Sequence, residues 1–172
     1  MDFLSLAKER CSVRACLGKP VEQEKIDKIL EAARVAPTAC NFQPQVIYVL
    51  KSKDAMAKAM KATSHINGAP MAFLICYNTS DAWKNPLERG YSSGESDASI
   101  VCTHMMLEAW DIGIGTLWIR GFDANKVAEV FELPSNIKPV CMLAAGYAKE
   151  DAILSSPAHS KNKEISEFVK EI

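Results

Sequence analysis

The stretch GESDASIVCTHMMLEAWDIGIGTLWIRGF, Gly94 to Phe122, holds a helix, its stop signal and a strand in succession. The spacing predicts the longest helix of the chain over 94–112, with Ile100, Val101, Met105, Met106, Leu107 and Trp110 as apolar positions. These are more than one core-facing stripe requires, so the helix is expected to be deeply buried or to carry a subunit interface. Gly113 stops it, as a glycine just past a helix end does. Thr116 to Ile119 then reads as a strand, with Arg120-Gly121 at its end.

The same alternation continues outward. Toward the N-terminus the pattern predicts a short helix over 2–9 and a second near 22–36, where Ile26, Ile29, Leu30 and Ala33 recur at helical spacing. Pro37 stops that helix, because a proline disfavours helix at the residue before it. A β-rich run at Val46 to Leu50, a helix over 53–62 and a buried strand from Met71 to Tyr77 follow. Residues 78–92, with Trp83, Pro86 and Gly90, read as a loop or irregular lid. Toward the C-terminus, Asp123 is the expected N-cap of a helix over 124–131, and Val140 to Gly146 is another buried strand. The tail beyond 155 begins polar and ends with Ile165, Phe168 and Val169. Residues 1–172 are read as one layered domain, α/β or α+β.

Composition narrows the function classes. The 172 residues suffice for one core. A formal net charge of −1 gives no general attraction to nucleic acid or to a membrane surface, and neither is expected as a partner. No run approaches the roughly 18 apolar residues of a membrane span, and MDFLSLAKER lacks the marks of a signal peptide. The cysteines at 11, 16, 40, 76, 102 and 141 form no C-x-x-C pair. They read as reduced thiols in a cytoplasmic protein, without disulfides or a metal. His65, His104 and His159 have no metal-ligand spacing. His104 is expected to find a partner on its helix, and the other two to be exposed or near a ligand.

Three constellations carry chemistry. Arg10-Cys11-Ser12-Val13-Arg14 places Arg10, Ser12 and Arg14 on one face if extended. Two guanidinium forks fit a phosphate, although such a cluster alone is as readily solvated surface. Neither G-x-G-x-x-G nor G-x-x-x-x-G-K-[ST] occurs, so phosphate binding must rest on side chains. Ala36-Pro37-Thr38-Ala39-Cys40-Asn41-Phe42-Gln43-Pro44 is a turn between helix and strand. Its polar groups either satisfy their own backbone or cradle a sugar alcohol or heteroaromatic edge. In the third, Gly113 to Phe122, the glycines either bound the strand or let a ligand plane approach the backbone.

In this order the motifs R-x-S-x-R, A-A-R-x-A-P-T-x-x-N-x-Q-P and G-I-G-T-x-W-I-x-G-F resemble the nitroreductase family of FMN-dependent oxidoreductases, from about residue 3 to about 150. The resemblance implies an α+β, three-layer fold with a central mixed, mainly antiparallel sheet flanked by helices. It also implies an intertwined homodimer with two FMN sites at the interface. Arg10, Cys11 and Ser12 match early FMN contacts, with Arg10 on the phosphate. Arg14 matches a basic position at the flavin's pyrimidine edge, where a cation stabilises the charge that builds on reduction. Thr38 and Ala39 match positions that approach the flavin from the partner subunit, and Pro37 and Asn41 belong to the same turn. Trp118, Ile119, Arg120 and Gly121 match the segment along one flavin face, with the backbone N–H of Arg120 toward N5. Lys161 and Lys163 resemble a basic pair that finishes the phosphate site, or are a solvated pair. Lysine in place of the common arginine implies a looser grip. The tail 155–172 is expected to embrace the partner. Gln45 stands where an aromatic is common, and the 78–95 lid is short for the family.

The implied reaction is ping-pong. NADH or NADPH reduces the flavin, and a small acceptor such as a nitroaromatic or quinone is then reduced. The cofactor carries the chemistry, so no catalytic residue is nominated. Cys11 and Cys40, near the expected site, read as inert. Two other classes use the same residues. One is a flavin carrier or redox sensor. The other is a different flavin enzyme, such as a dehalogenase, an azoline-type oxidase or a flavin-cleaving enzyme. A phosphate-sugar binder without flavin is the remaining option.

Overall fold

Four strands form one sheet: Gln45–Leu50 (β1), Met71–Asn78 (β2), Gly115–Ile119 (β3) and Ile137–Gly146 (β4), in the order β1-β2-β4-β3. The structure, a computed structural model, describes residues 2–153, 159 and 161–172. Its helices are Phe3–Glu9 (α1), Gln23–Val35 (α2), Lys53–Ala62 (α3), Gly94–Asp111 (α4), Ala124–Val130 (α5), Glu150–Ile153 (α6) and Ile165–Phe168 (α7).

The central strand β2 is buried from Met71 to Cys76, so it reads as a continuous apolar run. Its side chains still alternate. Met71, Phe73 and Ile75 pack with Ile26 and Ile29 of α2 and with Val101 and Met105 of α4. Ala72, Leu74 and Cys76 pack the other way, with Met56 and Ala59 of α3 and Val127 of α5. The result is helix, sheet, helix: three layers with a core on each side of the sheet. A register shift between Ile75 and Cys76 makes Val140 an extra residue on β4, opposite no partner of its own. Val140 and its neighbour Cys141 therefore both join the α2–α4 core.

The sheet corrects one expectation. It is antiparallel at every strand pairing rather than mixed. The reason lies in the connections. Leu50 of β1 stands opposite Ala72 of β2, and Asn78 of β2 stands opposite Ile137 of β4. Each excursion thus returns to the sheet at the end it left, which makes neighbours antiparallel. The parallel component is an isolated bridge between Ser12 and Thr116. The last strand also begins earlier than the apolar run suggests, since Pro139 lies inside β4 and pairs with Cys76. On its other side β4 meets β3 only from Met142 onward. Pro139 is therefore spared a second ladder, which needs its missing N–H.

The helix signals act as read. Ser52 Oγ accepts from the Ala55 N–H at 3.1 Å to open α3, and Asp123 Oδ1 accepts from the Asn125 N–H at 2.8 Å to open α5. Gly113 takes φ +79 and turns the chain out of α4 into β3. The apolar excess of α4 is split. Ala98, Val101, Cys102, Met105 and Ala109 face the sheet and are buried. Ile100 stays exposed, and Leu107 lines an open groove of about 760 Å³ with Phe3, Leu6, Ala32 and Val35.

The Arg10–Arg14 segment docks on β3 because residue 115 has no side chain. A Cβ there would lie 2.6 Å from Val13 Cγ2. Gly115→Ala is therefore expected to cost about 1–3 kcal/mol by overpacking, read as a lower urea midpoint. Phe73→Ala, which empties a fully buried position in the α2–α4 core, is expected to cost about 3–5 kcal/mol by the same measurement.

Candidate functional site

The site begins with the edge strand. β3 pairs with β4 on one side, and on the other the Thr116 carbonyl accepts from the Val13 N–H at 2.9 Å. Backbone groups along a strand return to the same edge every second residue. The Trp118 N–H and C=O therefore face that free edge, and Arg120 is the next position along it.

Docking fixes the first constellation. Cys11 and Val13 are 4% and 2% exposed and point into the core, so Arg10, Ser12 and Arg14 turn outward, as the alternation predicts. Among the described residues no carboxylate pairs with Arg10 or Arg14. Arg14 makes only a 3.3 Å bond from Nη1 to the Ser12 carbonyl. The Cys11 thiol is pushed up by burial, which outweighs the opposing pull of Arg10 and Arg14. Its side chain is a core group, and only its backbone is placed to serve a ligand.

Arg14 and the β3 edge share a pocket of about 320 Å³, lined also by His65, Asn67, Leu117, Trp118, Ile119, Arg120 and Gly121. No carboxylate lines it. The pocket floor at Gly121 is bare, and a Cβ there would lie 3.3 Å from Cδ2 and Nε2 of His65. The Thr63 hydroxyl donates to the Gly121 carbonyl at 3.0 Å, and Asn67 Nδ2 donates to the His65 carbonyl at 3.0 Å. The first bond staples the 63–67 loop to the strand end, and the second braces the loop within itself. The Arg120 guanidinium lies 3.7 Å from Glu95 Oε1 in the first turn of α4 and over the Phe122 ring.

The second constellation stands apart from this pocket. Ala39–Asn41 is a 3-10 turn, with Cys40, Asn41 and Gln43 at φ 50, 56 and 49. Thr38 Oγ1 accepts from the Gln43 N–H at 3.0 Å, and Gln43 Nε2 donates to the Asn41 carbonyl at 3.3 Å. The turn thus satisfies part of its own backbone, and the Pro37 and Asn41 side chains remain exposed. Lys161 and Lys163 are exposed in the tail. Of the tail, residues 155–158 and 160 lie outside the described residues. Trp83 packs edge-to-face on Tyr91, with ring centroids 6.4 Å apart.

Sequence reasoning missed two contributors. His65, expected to be exposed or near a ligand, lines the pocket, although it has no role in the motifs. Asn67 lies outside them too, although a left-handed residue before Gly68 is a turn signal. Asp97 is a carboxylate 2% exposed inside α4, and with Glu95, Ser96 and Ser99 around it the sequence carries no signal of that burial. His104 behaves as expected, with Nδ1 donating to the Ile100 carbonyl at 3.0 Å. All six cysteines stand unpaired, and burial pushes the Cys76 thiol up to about 12. Among the described residues no three metal-binding side chains come together, and no helix is long and apolar enough to cross a membrane.

Unpaired arginines, a bare glycine floor and a free strand edge suit a flat, phosphorylated heteroaromatic ligand. The wider likeness of the chain agrees with this. The crystal structure of a nitroreductase family protein from Clostridium difficile 630 superimposes with a TM-score of 0.92 at 37% identity, over 99% of this chain and 98% of that one. An NADH dehydrogenase of Thermus thermophilus is 27% identical over a gapped alignment of 192 positions that covers 92% of this chain and 91% of its own length. An NAD(P)H-dependent FMN reductase of Bacillus subtilis is 28% identical over 153 residues, 79% of this chain and 61% of its own. The nitroreductase family model matches residues 7–65 and 57–147. The chain therefore belongs to the nitroreductase family, as an NAD(P)H nitroreductase-like oxidoreductase.

Proposed function

We propose that this chain is an FMN-dependent oxidoreductase that passes hydride from NADH or NADPH to a small acceptor, such as a nitroaromatic or a quinone, in a ping-pong cycle. The observation that carries the reading is the pocket where the free edge of β3 and the bare Gly121 meet the unpaired guanidinium of Arg14. Bound FMN would supply N5 as the atom that accepts and then gives up hydride.

The remaining roles fall to the chain. Arg10 and Ser12, on the outward face beside Arg14, bind the phosphate end. Arg14 lies at the other end of that face, where its charge offsets the negative charge of the reduced ring. Trp118, Ile119, Arg120 and Gly121 set the plane of the ring with their backbone. That edge is anchored, because Ile119 is buried in the core below it. Lys161 and Lys163 add point charges near the phosphate.

The working form is a homodimer with FMN at the interface, and Pro37, Thr38, Ala39 and Asn41 serve the partner's ring. Uncovered apolar surface supports this. Phe3, Leu4 and Val35 are each at least 60% exposed beside the α1–α2–α4 groove, and Ile165 and Phe168 of α7 are 71% and 64% exposed. Surface of this kind calls for a cover, and the tail from 155 supplies one by embracing the partner. Six unpaired cysteines suit a reducing cytoplasm.

The purified protein is expected to show a flavin spectrum after addition of FMN, and to bleach under anaerobic NADH or NADPH. A protein that takes up no FMN, or whose bound flavin stays oxidised, ends this reading. Arg10→Gln removes a charge-assisted bond and is expected to weaken FMN binding about 10–100-fold, measured by fluorescence quenching. Arg14→Gln is expected to lower the flavin's reduction potential more than its affinity, measured by dye-equilibrated photoreduction.

A further inference from the structure

The first turns of α4 carry the one charged side chain that is buried among the described residues. Asp97 is 2% exposed. A carboxylate persists in such a place only when its oxygens are satisfied. Oδ1 accepts from the Ala39 N–H at 2.9 Å, and Oδ2 accepts from the Ser93 hydroxyl at 2.7 Å. A position at the N-terminal end of an 18-residue helix also favours negative charge.

The two partners belong to different segments. Ala39 opens the 39–41 turn. Ser93 closes the segment that starts after β2, and its N–H donates to the Trp83 carbonyl at 2.9 Å. The turn is costly to hold, since Cys40, Asn41 and Gln43 all sit at positive φ without being glycine. Its internal bonds, from the Asn41 and Gln43 N–H groups to the Thr38 carbonyl and Oγ1, keep its shape but not its position. Asp97 ties that shape to α4, and through Ser93 to the base of the lid.

We propose that Asp97 is a positioning residue for the cofactor site. Its carboxylate locks the 37–43 turn and the lid base in one arrangement, and so presents Thr38, Ala39 and Asn41 in fixed geometry. The proposal rests on the flavin reading above. Asp97 does not touch the cofactor. Asparagine keeps an acceptor for Ala39 and offers an amide to Ser93, so D97N is the conservative variant, whereas D97A removes both bonds. Met105, buried on the same helix and remote from the turn in sequence, supplies a control for general destabilisation.

The test measures FMN dissociation constants for wild type, D97N, D97A and M105A. It also measures amide hydrogen exchange over 37–43 and 83–93 in the flavin-free proteins. D97A is expected to weaken FMN binding at least about tenfold and to speed exchange in both segments together. D97N should stay within about threefold of wild type, and M105A likewise, despite its lower stability. If D97A fails to fold, D97L, which fills the space without an acceptor, takes its place. FMN binding by D97A equal to wild type, unchanged exchange in either segment, or an equal loss in M105A overturns the proposal. Wild-type protein that binds no FMN overturns the flavin reading itself, and the proposal with it, before any variant is compared.

Discussion

A strand buried on both faces must be covered on both faces, and β2 imposes that condition on the whole chain. Phe73 and Leu74 are neighbours in sequence, yet each is fully buried in a different core. Layers on both sides of the sheet follow from this alternation. The α2–α4 pair answers one face and the α3–α5 pair the other. The antiparallel ladder then follows from connections that leave and return at the same end of the sheet.

That arrangement leaves β1 and β3 as edge strands, and the edge of β3 is where function gathers. An unpaired edge is ordinarily a hazard. Here the Arg10–Arg14 segment covers the start of β3 and stops, which leaves Trp118 and the residues after it free. The cover is seated by the missing side chain of Gly115 and by one hydrogen bond from Val13 to Thr116. Seating Cys11 and Val13 inward forces the two arginines outward, so the packing of the core aims the charges of the site.

The N-terminal end of α4 gathers the remaining parts. Glu95 holds the Arg120 side chain, while Asp97 holds Ala39 and Ser93. The exposed Glu95–Arg120 pair is long and solvated, so it contributes orientation more than stability. The buried Asp97 bonds are different in kind, because a buried carboxylate without partners is strongly unfavourable.

Much of this was legible in the chain itself. Apolar periodicity, Ser52 and Asp123 as caps, and Gly113 and Pro37 as stops located the helices, because these are local effects that a few neighbouring residues decide. The order of the three motifs carried the family, and the alternation in R-C-S-V-R foretold which side chains face out. Tertiary structure alone decided the rest. Strand direction depends on where each connection returns, so a mixed sheet was expected where an antiparallel one formed. His65 and Asn67 become pocket residues because the Thr63 hydroxyl staples their loop to Gly121, 58 positions away, and the Cys16 N–H donates to the Asn67 carbonyl. Asp97 looks like an ordinary polar residue on a helix until the fold buries it between two segments. Contacts between residues far apart in sequence leave no periodic trace, and for that reason the site's supports stayed hidden while its first contacts could be read.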